Sequence, residues 1–167
     1  IGMTRTYLTP EHHKKRIYSL KLQLYTMDID TFLVLNPKNI FYLTGLNFIP
    51  TERPIILILH KGDTNFFVPS LEIDHVEHQV PFVSNIFSYF EYPDEIHPMK
   101  HFADILLKEV KIKDGKNAAE GSGASGYWGY KGPKFEEVTG QAFTLLPDIV
   151  MDMRVIKDKA EIDLMAE

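Results

Sequence analysis

Apolar residues along this chain keep two periods, and the two alternate. Ile17, Leu20, Leu24 and Met27 recur at three- and four-residue steps, the spacing of one helical face. Thr9 and Pro10 stand just before them, a capping residue followed by a proline at the first helical position. Phe32-Leu-Val-Leu35 and Ile55-Ile-Leu-Ile-Leu59 are short unbroken apolar runs, the mark of strands covered on both faces. Lys61-Gly-Asp-Thr64 carries turn chemistry and joins the second run to Asn65-Phe-Phe-Val68, which predicts a hairpin. Ser70 is placed to cap a helix reaching about His78, and Ile86 to Phe90 reads as the next strand. Met99, Phe102, Leu106 and Val110 mark a second long amphipathic helix, stopped before Asp114-Gly115. Lys116 to Glu120 is a candidate strand, Pro133 to Val138 a short helix, and Ala142 to Leu146 a last strand. Strands alternating with helices predict an α/β fold around a mostly parallel or mixed sheet.

Composition narrows this picture. A chain of 167 residues, 44% hydrophobic and 25% charged, reads as one domain with an ordinary soluble core, with room for a short piece of a second. The net charge of −5 speaks against a nucleic-acid partner. The densest basic run, His12-His-Lys-Lys-Arg16, opens the first helix and is expected on its solvated side. No apolar run approaches the roughly 20 residues of a membrane span, and no signal peptide is evident. The lack of cysteine excludes disulfides and thiolate metal sites and fits a cytoplasmic protein. Ile1-Gly2 before Met3 reads as a vector remnant.

Several patterns invite chemistry. Gly121-Ser-Gly-Ala-Ser-Gly126 matches a dinucleotide fingerprint, which needs a buried strand before it and a helix N-terminus after it. Lys116-Asn-Ala-Ala-Glu120 is too polar for a central strand, and Tyr127 to Pro133 adds two glycines and a proline, so a flexible glycine-rich loop is the better reading. His75 with His78, and His97 with His101, share helical faces without a carboxylate at metal-site spacing. Glu91, Asp94 and Glu95 form a loop cluster rather than an acid–base pair. No Gly-x-Ser-x-Gly elbow is present.

Two further segments carry a resemblance. Arg154-x-x-Lys157-x-x-x-Glu161-Ile162 is similar to the junction between the two domains of the creatinase, prolidase and aminopeptidase P family. Asn36-Pro-Lys-Asn-Ile-Phe-Tyr-Leu-Thr-Gly-Leu46 resembles the family's Asn-Ile-x-Tyr-Leu-Thr-Gly segment after its first strand. Arg53 to Leu59, then a turn, then Phe66 to Glu72 follow the order of its second strand, third strand and next helix. The resemblance implies a three-layer α/β/α domain with about six strands, spanning residues 3–153. Residues 154–167 would then begin a linker helix, with Asp158 as N-cap, Glu161 reaching back to it, and Ile162 and Met165 on one face. A catalytic domain absent from this chain would follow.

In the family, that catalytic domain holds two metal ions, with manganese the expected pair, through two Asp, one His and two Glu. The resemblance therefore implies no catalytic or metal residue in these 167 positions. It implies instead a non-catalytic domain of an Xaa-Pro peptidase, either a prolidase or an aminopeptidase P. Such a domain serves assembly into a dimer or tetramer and limits access of proline-containing peptides. The loop from Asn36 to Phe48 and the adjoining Arg53 are expected at that access route, with Asn39, Asn47 and Arg53 as its polar members. Ile40, Tyr42 and Leu43 are expected to pack, and Gly45 to allow a tight turn. A creatinase, or a non-enzymatic protein-binding module of the same fold, is the alternative.

Overall fold

The computed structural model describes residues 9–48, 54–89, 98–112, 115–123 and 133–155. Helix α1 (Pro10–Thr26) starts where Thr9 and Pro10 predict, and the Thr9 N–H donates to Nδ1 of His12 at 3.2 Å. Ile17, Leu20 and Leu24 are buried, whereas Met27, just past the helix end, is exposed. The basic run departs from expectation. His13 and Arg16 fall on or beside the row of Ile17, Leu20 and Leu24, so they are buried, while His12, Lys14 and Lys15 face solvent.

The strands are β1 (Thr31–Val34), β2 (Ile56–His60), β3 (Asp63–Pro69), β4 (Asn85–Tyr89), β5 (Asn117–Ala119) and β6 (Phe143–Leu145). They form one sheet in the order β4-β3-β2-β1-β5-β6. Only β2 runs against the rest, pairing antiparallel with β1 and with β3 across the predicted hairpin. The β1–β5, β3–β4 and β5–β6 pairs are parallel. Side chains alternate across the sheet at the strand period of two. Phe32, Val34, Leu57, Leu59, Phe66 and Val68 face one core, and Leu33, Ile56, Ile58 and Phe67 face the other.

Helices cover both faces. On the first lie α1, α2 (Pro37–Thr44), α3 (Ile73–Gln79) and a last helix, α6, over residues 149–155. On the second lie α4 (Pro98–Asp104), continued by a π-helical stretch over Ile105–Val110, and α5 (Phe135–Thr139). This is the three-layer arrangement. Among the described residues no helix is long and apolar enough to cross a membrane.

Three local expectations are corrected. The expected loop from Asn36 to Phe48 is for the most part helix α2 (Pro37–Thr44), because Asn36 caps it through Lys38 N at 2.9 Å, Pro37 sits at its first position and Gly45 ends it at φ 86°. Ser70 does not cap the helix after β3; its hydroxyl donates to the Tyr89 carbonyl at 2.9 Å, and a 3-10 turn (Ser70–Glu72) precedes α3. The β5 strand is polar in sequence yet interior, lying between β1 and β6 with Asn117 and Glu120 both buried. Expectations for Ile1-Gly2, Glu91 to Glu95, His97, Ala124 to Gly132 and Asp158 to Glu167 lie outside the described residues.

Candidate functional site

The carboxyl ends of β1 and β5 lie side by side, and the chain leaves them for opposite faces. After β1 it enters α2 on the first face, and after β5 it proceeds to α5 on the second. Open α/β sheets bind ligands in the crevice at such a reversal. Here the crevice is filled by a side chain of the protein itself. Glu120 directly follows β5, and its N–H bonds the Leu33 carbonyl at 3.0 Å. Its Oε1 accepts from the N–H groups of Leu35 at 2.7 Å and Asn36 at 2.9 Å, at the start of α2. An anion is favoured at a helix N-terminus, and the Glu120 carboxylate occupies that place.

The second oxygen, Oε2, accepts from the Asn39 amide, and the Asn39 carbonyl oxygen accepts from Nη1 of Arg154 at 3.0 Å. Asn39, one turn into α2, thus bridges Glu120 to α6. Glu120 and Asn39 are only 2% and 1% exposed, and Arg154 is half-buried. Burial pushes the Glu120 carboxyl above its ordinary value; the N–H groups of Asn36 and Leu35, the Asn39 amide and the Arg154 charge oppose that rise. Every donor aimed at this carboxylate favours its ionised form.

The far end of α2 is held as firmly. The Tyr42 carbonyl accepts from Nη1 of Arg16 at 2.9 Å and meets Nδ1 of His13 at 3.0 Å. The Arg16 guanidinium also lies over the Tyr42 ring, 4.0 Å from its centroid. Positive charge at a helix C-terminus is stabilising, so the buried part of the basic run complements α2. Gly45 lets the chain turn there, and a Cβ on it would come within 3.0 Å of His13 Nε2. Burial lowers the pKa of His13, as does the Arg16 charge, while the bond to Tyr42 raises it.

The three expected polar residues separate on this scaffold. Asn39 is interior. Asn47 is exposed just beyond α2, and its N–H donates to Oε1 of Gln79 at 2.8 Å. Arg53 lies outside the described residues. Ile40, Tyr42 and Leu43 are buried. Sequence reasoning did not single out Glu120; a lone acid ending a short strand carries no local signal, since its partners are some 80 residues away. His75 meets Glu72 at 2.9 Å near the surface. Among the described residues no three His, Cys, Asp or Glu side chains converge as a metal site.

Known proteins agree with this architecture. The sequence model of the Creatinase/Prolidase N-terminal domain family matches residues 16–155. An uncharacterized peptidase of Staphylococcus haemolyticus is 31% identical over 100 residues, which are 58% of this chain and 28% of that protein. The chain thus spans little more than a quarter of the curated relatives it matches. A proline dipeptidase structure from Streptococcus pneumoniae superposes with a TM-score of 0.63 at 26% identity, over 85% of this chain and 98% of that one. The dipeptidase PepE of Mycobacterium ulcerans shares the fold at 15% identity and a TM-score of 0.67, over 93% of this chain and 40% of that one. With the helices and sheet order described above, these matches establish that the chain belongs to the Creatinase/Prolidase N-terminal domain family.

Proposed function

We propose that this chain is the non-catalytic N-terminal domain of a metal-dependent Xaa-Pro peptidase, a prolidase or an aminopeptidase P. In this reading the parent protein is cytoplasmic, and the domain serves its assembly into a dimer or tetramer and the access of proline-containing peptides. The observation that carries the reading is the family match over residues 16–155. It is supported by likeness at 26% identity to a proline dipeptidase structure. Two divalent ions, with manganese the expected pair, would be held by a later catalytic domain, where metal-bound water supplies hydroxide. The described residues of this chain offer no ligand set for them.

The domain's own contribution is positional. Asn47, exposed after a helix fixed at both ends, and Arg53 would form the rim that peptides pass, and Asn39 would act from inside by holding α2 in place. The Asn39–Arg154 bond also supports a fixed junction, because α6 runs directly into the segment expected to lead to the catalytic domain.

Steady-state kinetics of the full-length parent on Xaa-Pro dipeptides and Xaa-Pro-led tripeptides test this. Asn47→Ala and Arg53→Ala should raise KM or change length preference while leaving kcat and the melting temperature near those of the unaltered enzyme. Unchanged constants on both substrates would remove the rim role. The isolated chain should hydrolyse neither substrate with manganese or cobalt; chelator-sensitive turnover that co-purifies with it would refute the non-catalytic reading.

A further inference from the structure

Helix α1 presents two parallel rows. The inner row, His13, Ile17, Leu20 and Leu24, is buried against the sheet. The outer row is displaced by one residue: Lys14, Tyr18, Lys21 and Tyr25 follow at steps of four, three and four. Its members line a groove of about 680 Å³ between α1 and the β2–β3 turn. Ile17, Leu24, Ile29, Leu59 and Phe82 contribute its apolar lining, and Lys61 stands across from the helix on the turn. Tyr18, Leu22 and Tyr25 are 63%, 49% and 79% exposed, an apolar strip about two helical turns long.

The charges in this groove are unbalanced. Three ammonium groups, of Lys14, Lys21 and Lys61, meet one lining carboxylate, Asp30. Lys14 reaches Glu11 only at 3.9 Å, and both side chains are more than half exposed. Lys21 is half-buried and donates to the Gly62 carbonyl at 3.0 Å; among the described residues no carboxylate lies within ion-pair distance of it. Burial lowers its pKa, opposed by the charge of Asp63. Helix α1 carries four Lys/Arg and one acid in a chain of net charge −5, and two of the four, Lys14 and Lys21, line this groove. At the rim Lys61 takes φ 52°, a left-handed conformation usually left to glycine, while its neighbour Gly62 does not.

We propose that this groove docks an acidic amphipathic helix of a partner protein. The outer row alternates cation and tyrosine at helical steps, so the occupant must offer carboxylates and apolar side chains at matching steps. A helix with one apolar stripe flanked by Glu or Asp does this, with anchors at i, i+4 and i+7. Tyrosine is a favoured anchor, and the lysines select the sign of the partner. A second copy of this chain is a poor occupant, because its matching row would bring further lysines and no carboxylates to the groove.

The test uses the 167-residue chain and a fluorescent synthetic helix with a leucine stripe flanked by glutamates, read by anisotropy. A twin with lysine in place of glutamate and a twin broken by a central proline complete the set. The glutamate peptide should bind saturably, at least about tenfold tighter than either twin, and weaken as salt rises. Lys14→Glu with Lys21→Glu should reverse the preference between the charged twins, and Leu22→Asp should weaken the glutamate peptide about tenfold. These positions are exposed or half-buried, and unchanged thermal unfolding of each variant would exclude misfolding. Equal affinity for the charged twins, an unaffected Lys14→Glu/Lys21→Glu variant, or no saturation by about 1 mM would overturn the proposal. Undiminished binding of the proline-broken twin would overturn its helical form.

Discussion

The two faces of the sheet are built from different materials. On the second face an aromatic chain crosses the core: Tyr89 stacks on Phe67 at 4.8 Å, Phe67 meets Phe102 at 4.9 Å, Phe102 meets Phe135 at 5.5 Å, and Phe135 meets Phe143 at 5.7 Å. The first face packs a largely aliphatic core and also buries His13, Arg16 and Asn39. Glu120 is buried where the two faces diverge. Apolar burial is roughly proportional to area and carries no direction, whereas hydrogen bonds do, and those on the first face fix α2 in position and register. The second face supplies cohesion, and the first supplies geometry.

The largest expected effect tests cohesion. Phe102→Ala removes a fully buried ring between Phe67 and Phe135 and should cost about 3–5 kcal/mol, read as a lower urea midpoint. Next comes geometry. Glu120→Ala would strand the buried N–H of Leu35 and the Asn39 amide and should cost about 3 kcal/mol. In a double-mutant cycle, Asn39→Ala and Arg154→Ala should couple by about 0.5–1.5 kcal/mol; strict additivity would deny that the bond ties α6 to α2. Gly45→Ala should cost about 1–2 kcal/mol, from its positive φ and the His13 ring.

The smallest effect concerns pH. The Glu120 pKa is raised in the fold, so the stability it contributes is full below its ordinary 4.5 and lost as pH rises through the folded value. His13 behaves oppositely: its contribution is full above 6.5 and lost as pH falls through its depressed value. Urea unfolding of the wild type and Glu120→Gln at several pH values between 4.5 and 8 separates them. The advantage of the wild type over the variant should grow as pH falls. An advantage growing towards pH 8 would mean that the donors around Glu120 outweigh its burial.

The sheet was largely legible in sequence, because unbroken apolar runs and a turn define β1, β2 and β3 without knowledge of the rest. The second-face helix was legible for the same reason, since Met99, Phe102, Leu106 and Val110 all repeat at helical steps and are all buried. Helix α2 was missed although its signals are local: Asn36 as cap, Pro37 behind it and Gly45 as stop. A run of only eight residues offers too little periodicity to outweigh a loop reading. Helix α6 likewise follows Pro147-Asp148 but is only two turns long. Burial of His13 was readable from its place on the row of Ile17, Leu20 and Leu24, and charge density masked it. The Glu120 network was not readable, since its bonds join residues 81 to 85 positions apart and the Asn39–Arg154 bond joins residues 115 apart.

Those separations set a timetable for synthesis. Strands β1, β2 and β3 pair with near neighbours in the chain, so they can assemble as soon as residue 69 is available. Strand β1 then has one edge satisfied and the other open until β5 arrives. At about 5–20 residues per second, the ribosome needs roughly 4–17 s to go from Leu35 to Glu120. Through that interval the start of α2 lacks its carboxylate, and the bare edge of β1 is a template for a foreign strand. Strand β5 and Glu120 arrive together, so one short segment both closes the β1 edge and supplies the carboxylate at the start of α2.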